Sequence, residues 1–527
     1  MPELAGLGTL TRFLLRRDRV RSLVWVASLG LLVWVSAVSV EGLYPTQADL
    51  DAAAAASRDN AAAIAFNGPD QGLDTLGGQV AFQVSSFGLI VTALMGIFMV
   101  GRETRGEEED GRLELVRSLP VGRHATTAAV LLVVAGMSVA VGVVVTLGVL
   151  TIGLPTAGCL ALGAGFTAVG LVFAAVTLVA AQVTENTRVA YGIGGAVLGA
   201  SFVLRAAGDV GDGTLSWLSP IGWAQKLRPF AGERWWPLVL PLVATVALVA
   251  LAVVLAARRD VGAGLVPPRP GPARIADGWA RPLGLALRLQ RGSVVWWSLG
   301  LLLMGVAYGS VAQDVEDFVG DNEAVQDMIA RAGGVSLTDA YLGTSLLMLA
   351  LVGSGFTVAA VLRLRSEETN LRAEPILATR VSRPRWVASH LVVAVVGSAV
   401  VMVAGGFGLG LSYGLASDDL GQVGRLVGAS LPWVPAMWLL AAVALLLFGA
   451  VPRATGVAWA VLAGCFVVGL LAEALKLPAA VRDLSPFEHI PELPAASLSV
   501  LPIAVVSAVA AAVAVAGFVA FGRRDVG

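Results

Sequence analysis

Charge is scarce in this chain, and lysine is nearly absent. Only 14% of the 527 residues are charged, whereas a soluble domain carries about 25%. Lysine occurs only at Lys226 and Lys476, and cysteine only at Cys159 and Cys465. So little charge excludes a surface that faces water on all sides. Both cysteines lie in apolar runs, which excludes a disulfide framework. A formal net charge of −1 gives no reason to expect a nucleic-acid partner.

The scarcity of lysine and histidine also excludes two kinds of catalytic site. A phosphate-binding P-loop needs a lysine that follows glycine and precedes serine or threonine, and neither Lys226 nor Lys476 has these neighbours. We therefore expect no ATP hydrolysis and no bound cofactor in this chain, and we do not expect an enzyme. The histidines, which do not fall at metal-ligand spacing, are His124, His390 and His489.

Apolar residues are abundant instead, and they are grouped. Hydrophobic residues make up 57% of the chain and fall in runs of about 20, long enough to cross a hydrocarbon core of roughly 30 Å. The sequence predicts an all-α integral membrane protein with about 12 transmembrane helices. The predicted spans are 22–40, 80–100, 126–150, 157–182, 189–205, 237–256, 293–312, 341–361, 386–412, 428–450, 454–474 and 500–521.

The distribution of arginine predicts the orientation in the membrane. Arginines are concentrated at the N-terminus, in the loops 101–125 and 362–385 and in the C-terminal tail, whereas the loops 41–79 and 313–340 are acidic. By the positive-inside rule both termini are cytoplasmic, in a multi-pass protein of the plasma (cytoplasmic) membrane. The basic segment Leu7–Arg17 is predicted to be amphipathic and to lie along the membrane surface, or to be a plain positive flank.

The chain contains an internal repeat. Arg-Arg-Asp-Val-Gly occurs at 258–262 and again at 523–527. The loop residues Arg105, Glu107, Glu108, Arg112 and Glu114 recur as Arg365, Glu367, Glu368, Arg372 and Glu374. We predict a first six-helix half over 1–262, a cytoplasmic linker over 263–282 and a second six-helix half over 283–527. An even number of spans per half makes the halves parallel repeats.

The loop 101–125 is the most informative segment. Topology explains its arginines but not its equal density of acids, since acids contribute little to orientation. Glu107, Glu108, Arg112 and Glu114 fall at helical spacing and predict a short charged helix. Such a helix, repeated in both halves, favours a docking surface for a soluble partner. The alternative is a solvated loop whose charges pair with one another.

This loop resembles the E-E-x-x-G-x-L-E-L-L…P-V-x-R signature in the membrane subunits of type-two ATP-binding-cassette exporters. The segment 217–237 resembles a branch of actinobacterial permeases that export polyketide antibiotics, the tetronasin-resistance type. The resemblance implies a coupling helix in each half, seated on one of two copies of a nucleotide-binding subunit that holds ATP and Mg. The coupling residues it implies are Glu107, Glu108, Gly111, Arg112, Leu113 and Glu114, with Glu367, Glu368, Arg372 and Glu374 in the second half.

The second loop departs from this signature, because Leu371, Ala373 and Pro375 stand where the first loop has Gly111, Leu113 and Leu115. The two docking sites are therefore expected to differ. The implied function is export of hydrophobic or amphipathic compounds such as antibiotics, drugs or lipids. The alternative is an ion-coupled secondary multidrug exporter, but such carriers usually need ionisable residues near mid-membrane and the predicted spans contain almost none.

Three hypotheses concern the outer side. Arg205 and Glu473 hold nearly corresponding places in the two halves, so they form either a cross-half ion pair that closes this side or two independent interfacial residues. The segment 217–236, with Trp217, Pro220 and Trp223, either re-enters the membrane along an exit path or belongs to the aromatic belt. Residues 48–65 are predicted to form one external helix.

Overall fold

The computed structural model describes residues 3–58, 60–260, 262–267, 279, 281–320, 336–472 and 477–525. Throughout these residues the regular elements are helical, which confirms the predicted all-α integral membrane fold. The chain divides into two compact units, Met1–Gly271 and Pro272–Gly527. The point of division falls inside the stretch 263–282 that the sequence assigns to a linker. The exact limits of the halves and their parallel relation stay predictions.

The first unit starts with the amphipathic helix predicted at its N-terminus. Its α-helices are α1 (Leu7–Arg17), α2 (Arg19–Leu43), α3 (Gln47–Ser57), α4 (Ala61–Asn67), α5 (Leu76–Gly101), α6 (Glu107–Glu109), α7 (Arg112–Arg117), α8 (Ala125–Leu150), α9 (Thr156–Val183), α10 (Thr187–Val210), α11 (Pro220–Gln225) and α12 (Val239–Ala256). A π-helical turn (Arg102–Gly106) joins α5 to α6, and short 3-10 helices lie at Leu215–Leu218 and Trp236–Leu238.

The second unit follows the same order of long helices. It contains α13 (Pro282–Gly320), α14 (Leu337–Thr369), α15 (Ala373–Leu377), α16 (Arg383–Ala416), α17 (Gly421–Ser430), α18 (Val434–Ala450), α19 (Val457–Leu471), α20 (Ala479–Arg482) and α21 (Val500–Gly522). Short 3-10 helices lie at Leu431–Trp433, Pro452–Ala454 and Pro486–His489.

Eleven helices of the described residues are long and apolar enough to cross a membrane. They coincide with eleven of the predicted spans. The remaining prediction, 454–474, coincides with α19, an apolar helix of 15 residues. At 1.5 Å per residue α19 is about 22 Å long, shorter than a typical hydrocarbon core. The residues 473–476 that follow it lie outside the described part of the chain.

Each unit has its own hydrophobic core, and the same pairs of helices build both. In the first unit α2 packs against α5 and α8, while α9 packs against α5, α8 and α12. In the second unit α13 packs against α14 and α16, while α18 packs against α14, α16 and α21. The largest buried side chains include Phe166 and Phe173 in the first core and Phe356, Trp433 and Phe448 in the second.

Glycine lets two of these helices touch through their backbones. A Cβ on Gly142 of α8 would lie 2.5 Å from the carbonyl oxygen of Gly163 in α9, and a Cβ on Gly163 would lie 2.3 Å from the carbonyl oxygen of Gly142. In the second unit a Cβ on Gly406 of α16 would lie 3.0 Å from the carbonyl oxygen of Leu426 in α17. Because lipid tails are as apolar as the helices, such close approach is a main source of helix association in membranes.

The predicted external helix over 48–65 is wrong in one respect, because the structure has two helices there. A capping box at Thr46 and Asp49 starts α3, and the side chain of Asn60 accepts a hydrogen bond from the backbone N–H of Ala63 to start α4. An asparagine in this capping position provides a local hydrogen bond that begins a new helix.

Candidate functional site

The first charged loop, defined as residues 101–125, continues the direction of α5 before it turns. The π-helical turn leads directly into α6, and Gly111 then adopts a left-handed conformation, with φ of 71°, before α7 begins. The single short helix predicted over Glu107 to Glu114 is therefore divided at Gly111. Glycine reaches this φ without the steric cost of a Cβ atom. The division gives the two parts of the loop different environments.

Glu108 in α6 lies in a buried cluster with two arginines. Arg105 donates from Nη1 to Glu108 Oε2 at 2.6 Å, and Arg259 donates from Nη2 to Glu108 Oε1 at 2.8 Å and from Nη1 to Oε2 at 2.9 Å. The side chains of Arg105, Arg259 and Glu108 are 1%, 9% and 7% exposed. A carboxylate this buried is stable only when it is paired, so Glu108 holds the loop to the end of α12.

The second charged loop, defined as residues 362–385, contains the same cluster. Glu368 pairs with Arg365, whose Nη1 lies 3.3 Å from Oε2, and with Nη2 of Arg524. Arg365 stands in the second repeat where Arg105 stands in the first, and Arg524 stands where Arg259 stands. The two motifs that mark the internal repeat thus meet in each unit as one ion cluster.

The last arginine of each cluster also contacts the end of a third helix. Nε of Arg259 donates to Oε1 of Gln182 in α9 at 2.8 Å. Nη1 of Arg524 donates to the carbonyl oxygen of Phe448 in α18 at 3.0 Å. In each unit one guanidinium therefore connects the charged loop, the final helix and the end of another span.

A second group of charges joins the first loop to the N-terminal helices. Arg102 donates to both Asp18 and Glu103 at 2.7 Å, and Arg17 contacts Glu103 and also lies 3.3 Å from Glu107. Asp18 and Glu103 have side chains only 3% exposed. Glu367, which stands in the second loop where Glu107 stands in the first, is buried, and it accepts a hydrogen bond from Nε of Arg363 in its own helix at 2.7 Å.

Beyond Gly111 the first loop is exposed. Leu115 in α7 is 72% exposed and Leu119, two residues beyond the end of α7, is 60% exposed, with Arg112 and Glu114 also at the surface. Leu113 is half-buried. We call residues 110–120 the first loop surface. Arg117 belongs to it and is also exposed.

The second loop keeps the turn but not this surface. Leu371 has φ of 56° at the position of Gly111, so the left-handed turn persists without glycine. Arg372 and Glu374 are exposed, but Ala373 is fully buried, and Pro375 stands where the first loop has Leu115. The second loop therefore preserves the ion cluster of the first loop but not its exposed surface.

At the far end of α10, Arg205 forms a different buried contact. Its guanidinium donates to the carbonyl oxygens of Ile64 at 3.1 Å and Phe66 at 3.3 Å, and it lies 3.7 Å from the carboxylate of Asp209. Arg205 thereby ties α4 to α10. Glu473 lies outside the described residues, so its pairing with Arg205 stays a prediction.

The segment after α10 folds back onto the first unit. The side chain of Ser219 caps α11, which begins with Pro220, and α11 packs against α9 and α10. Nε1 of Trp223 donates to the carbonyl oxygen of Trp217 at 2.6 Å, and the rings of Trp217 and Trp236 stack at 5.2 Å. The re-entry of this segment into the membrane stays a prediction.

Sequence reasoning found the glutamates of the charged loops but missed their partners. The sequence marks Arg259 and Arg524 only as parts of a repeated terminal motif and does not link them to the loops. One sequence signal could have found them, because the two repeated motifs occur together. Each half that has the two loop glutamates also has two arginines and an aspartate after its last long helix.

Comparison with known proteins shows which family the sequence resembles. Over 520 residues the chain is 43% identical to "Multidrug efflux system permease protein Rv1217c" of Mycobacterium tuberculosis (strain ATCC 25618 / H37Rv), covering 98% of this chain and 94% of that protein. Residues 280–522 match the family described as "Multidrug efflux system permease Rv1217c, C-terminal domain", which spans all the long helices of the second unit. With this similarity along nearly its whole length, the chain belongs to the family of the multidrug efflux system permease Rv1217c.

Proposed function

We propose that this chain is the permease subunit of an ATP-driven exporter of the type-two ATP-binding-cassette class. Its substrates are hydrophobic or amphipathic compounds such as antibiotics, drugs or lipids, which leave through the plasma membrane. ATP and Mg are bound and used in two copies of a separate nucleotide-binding subunit. Both termini and both charged loops face the cytoplasm, where those subunits dock.

The repeated ion cluster is the observation that carries this proposal. Glu108 and Glu368 are held by corresponding arginines, so each unit presents a charged loop with the same anchor. A loop that only needed to be soluble would have no reason to bury its glutamates, which costs free energy unless every charge is paired. A loop that is repeated and rigidly held is suited to bind one partner subunit in each half. It can then pass the movement of that subunit to the helices to which the loop is attached.

The chemistry of the first loop surface indicates what docks there. Leu115 and Leu119 form a small apolar centre, and Asp110, Arg112 and Glu114 surround it with charge. An exposed leucine on a short helix, with a second one just beyond the end of that helix, fits an apolar groove whose rim carries complementary charges. The second loop has Pro375 and Thr379 where the first loop has Leu115 and Leu119, so the two nucleotide-binding subunits would be held unequally.

The name of the relative supports the substrate class, since that protein is described as a multidrug efflux system permease. An ion-coupled carrier remains the alternative. It is less well supported, because along the described spans Asp, Glu, Lys and Arg lie towards helix ends, as Arg205 does in α10 and Asp339 in α14. Ion-coupled transport usually requires ionisable groups nearer the middle of the membrane.

Co-purification tests the docking step. The tagged chain, expressed in its native host, is expected to recover a P-loop subunit whose ATPase activity rises with a lipophilic substrate. Leu115→Glu is expected to lower the recovery of that subunit by at least about tenfold, because it places an unpaired charge in an apolar contact, a cost of more than roughly 1.4 kcal/mol.

Leu218→Glu is the matched control, since Leu218 is 64% exposed but lies far from the charged loops. The Leu218→Glu chain should retain the partner at the level of the unsubstituted chain. Recovery of the chain alone, active in liposomes with an ion gradient and without ATP, would contradict the proposal and support the ion-coupled alternative.

A further inference from the structure

Two adjacent arginines follow the last long helix of each unit, and only the second of each pair contacts a charged loop. Arg258 and Arg523 are exposed, and neither has an ion-pair partner among the described residues. Arg259 and Arg524 are turned inward and bind Glu108 and Glu368. The sequence Arg-Arg-Asp is the same at both places, so the fold gives the two arginines different environments.

The geometry of the inward arginine is that of a fixed connection. Arg259 uses both terminal nitrogens on the two oxygens of Glu108, while its Nε binds Gln182. Such a bidentate pair fixes orientation as well as distance, which a single contact does not. Because α6 follows α5 through the π-helical turn, the contact connects the ends of α5, α9 and α12.

We propose that Arg259 and Arg524 are positioning residues that hold each charged loop in a fixed relation to the last helix of its unit. A displacement of the loop is then passed to α12 or α21 instead of being absorbed by bending at the loop. Without this contact the first loop keeps its ion pairs with Arg17 and Asp18 and the hydrogen bond from Arg105 to the carbonyl of Ala181, but Glu108 loses its link to the end of α12. The part of the proposal that concerns ATP rests on the proposed function, whereas the positioning itself does not.

The first experiment measures positioning without any partner. A spin label is attached at Leu115→Cys in a full-length chain whose two native cysteines, Cys159 and Cys465, are replaced by alanine. Arg259→Gln is expected to increase the mobility of the label, because Glu108 loses its link to α12. Arg258→Gln removes the same charge from the neighbouring exposed position and should leave the spectrum unchanged.

The second experiment measures coupling. The chain and its co-purified ATPase subunit are reconstituted in liposomes, and the transport of a lipophilic dye is divided by the ATP hydrolysed. Arg259→Gln and Arg524→Gln are expected to lower this ratio by about 2- to 30-fold, the range found for residues along a coupling path. Arg258→Gln and Arg523→Gln should keep the ratio of the unsubstituted complex.

The outcomes separate the two proposals. Equal label mobility and equal coupling ratios in Arg259→Gln and Arg258→Gln would overturn the positioning role. If no ATPase subunit is recovered, the proposed function fails, while the label mobility still decides the positioning role. If Arg259→Gln does not yield folded protein, Arg259→Lys replaces it, since lysine keeps the charge but cannot form the bidentate contact and should give a smaller change in the same direction.

Discussion

At the scale of single residues, the two charged loops make the same turn with different residues. Gly111 has φ of 71° and Leu371 has φ of 56°. In both loops the backbone N–H of this residue donates to the carbonyl of the second glutamate, Glu108 at 3.1 Å or Glu368 at 3.0 Å. A leucine in the left-handed region carries a steric cost that a glycine does not. The second loop is therefore strained where the first is not.

Leu371→Gly is consequently expected to stabilise the protein, by about 1 kcal/mol at most, since relief of the left-handed strain is partly offset by the greater freedom of glycine in the unfolded chain. The midpoint of thermal unfolding in detergent should rise slightly. Leu115→Gly is the matched control, because Leu115 lies in the right-handed helix α7, where glycine costs roughly 1 kcal/mol. A lower midpoint for Leu371→Gly would contradict this account.

Residue spacing alone predicted which loop matters but not which of its charges are buried. Glu107, Glu108, Arg112 and Glu114 fit a helical pattern equally well, yet Glu108 is buried and Arg112 is exposed. The difference arises from Arg259, which lies 151 residues away in the chain. Contacts of that separation depend on how the helices pack, and periodicity carries no information about packing.

At the scale of helices, the apolar runs predicted the long spans because a run of about 20 apolar residues has few alternatives in a membrane protein. The differences between the predicted and the observed helices have local causes. Gly111 divides the charged helix, and Asn60 starts a separate helix within the stretch predicted as one. The prediction of a full span over 454–474 corresponds to the 15-residue α19. A hydropathy pattern carries no information about single turns or helix caps.

The contact between α8 and α9 gives a prediction about packing. Gly142→Ala is expected to destabilise the fold by roughly 1–3 kcal/mol, because its Cβ would meet the backbone of Gly163 at 2.5 Å and neither helix backbone can yield locally. Gly136→Ala in the same helix meets nothing within 4 Å and should be neutral or slightly stabilising. Thermal unfolding of the two variants in detergent compares them directly, and equal midpoints would show that the close contact is absent.

At the scale of the whole molecule, the repeat is better preserved in its internal anchor than in its exposed surface. Both units contain the glutamate–arginine cluster, which is more deeply buried in the first, while only the first loop exposes two leucines four residues apart. This pattern suits a permease in which both halves must be moved but one docking site binds more strongly. The repeat can be predicted from the sequence. The packed structure is needed to show that the ion cluster is repeated in both units whereas the exposed surface is not.

The most direct test of the central claim is the energy source of export. The chain is reconstituted with its co-purified ATPase subunit in liposomes without any ion gradient, and accumulation of a lipophilic dye is followed after ATP is added. The account predicts accumulation that requires ATP hydrolysis and stops when the P-loop lysine of the partner subunit is replaced by alanine. Equal accumulation by this chain alone, driven by an ion gradient in the absence of ATP, would contradict it.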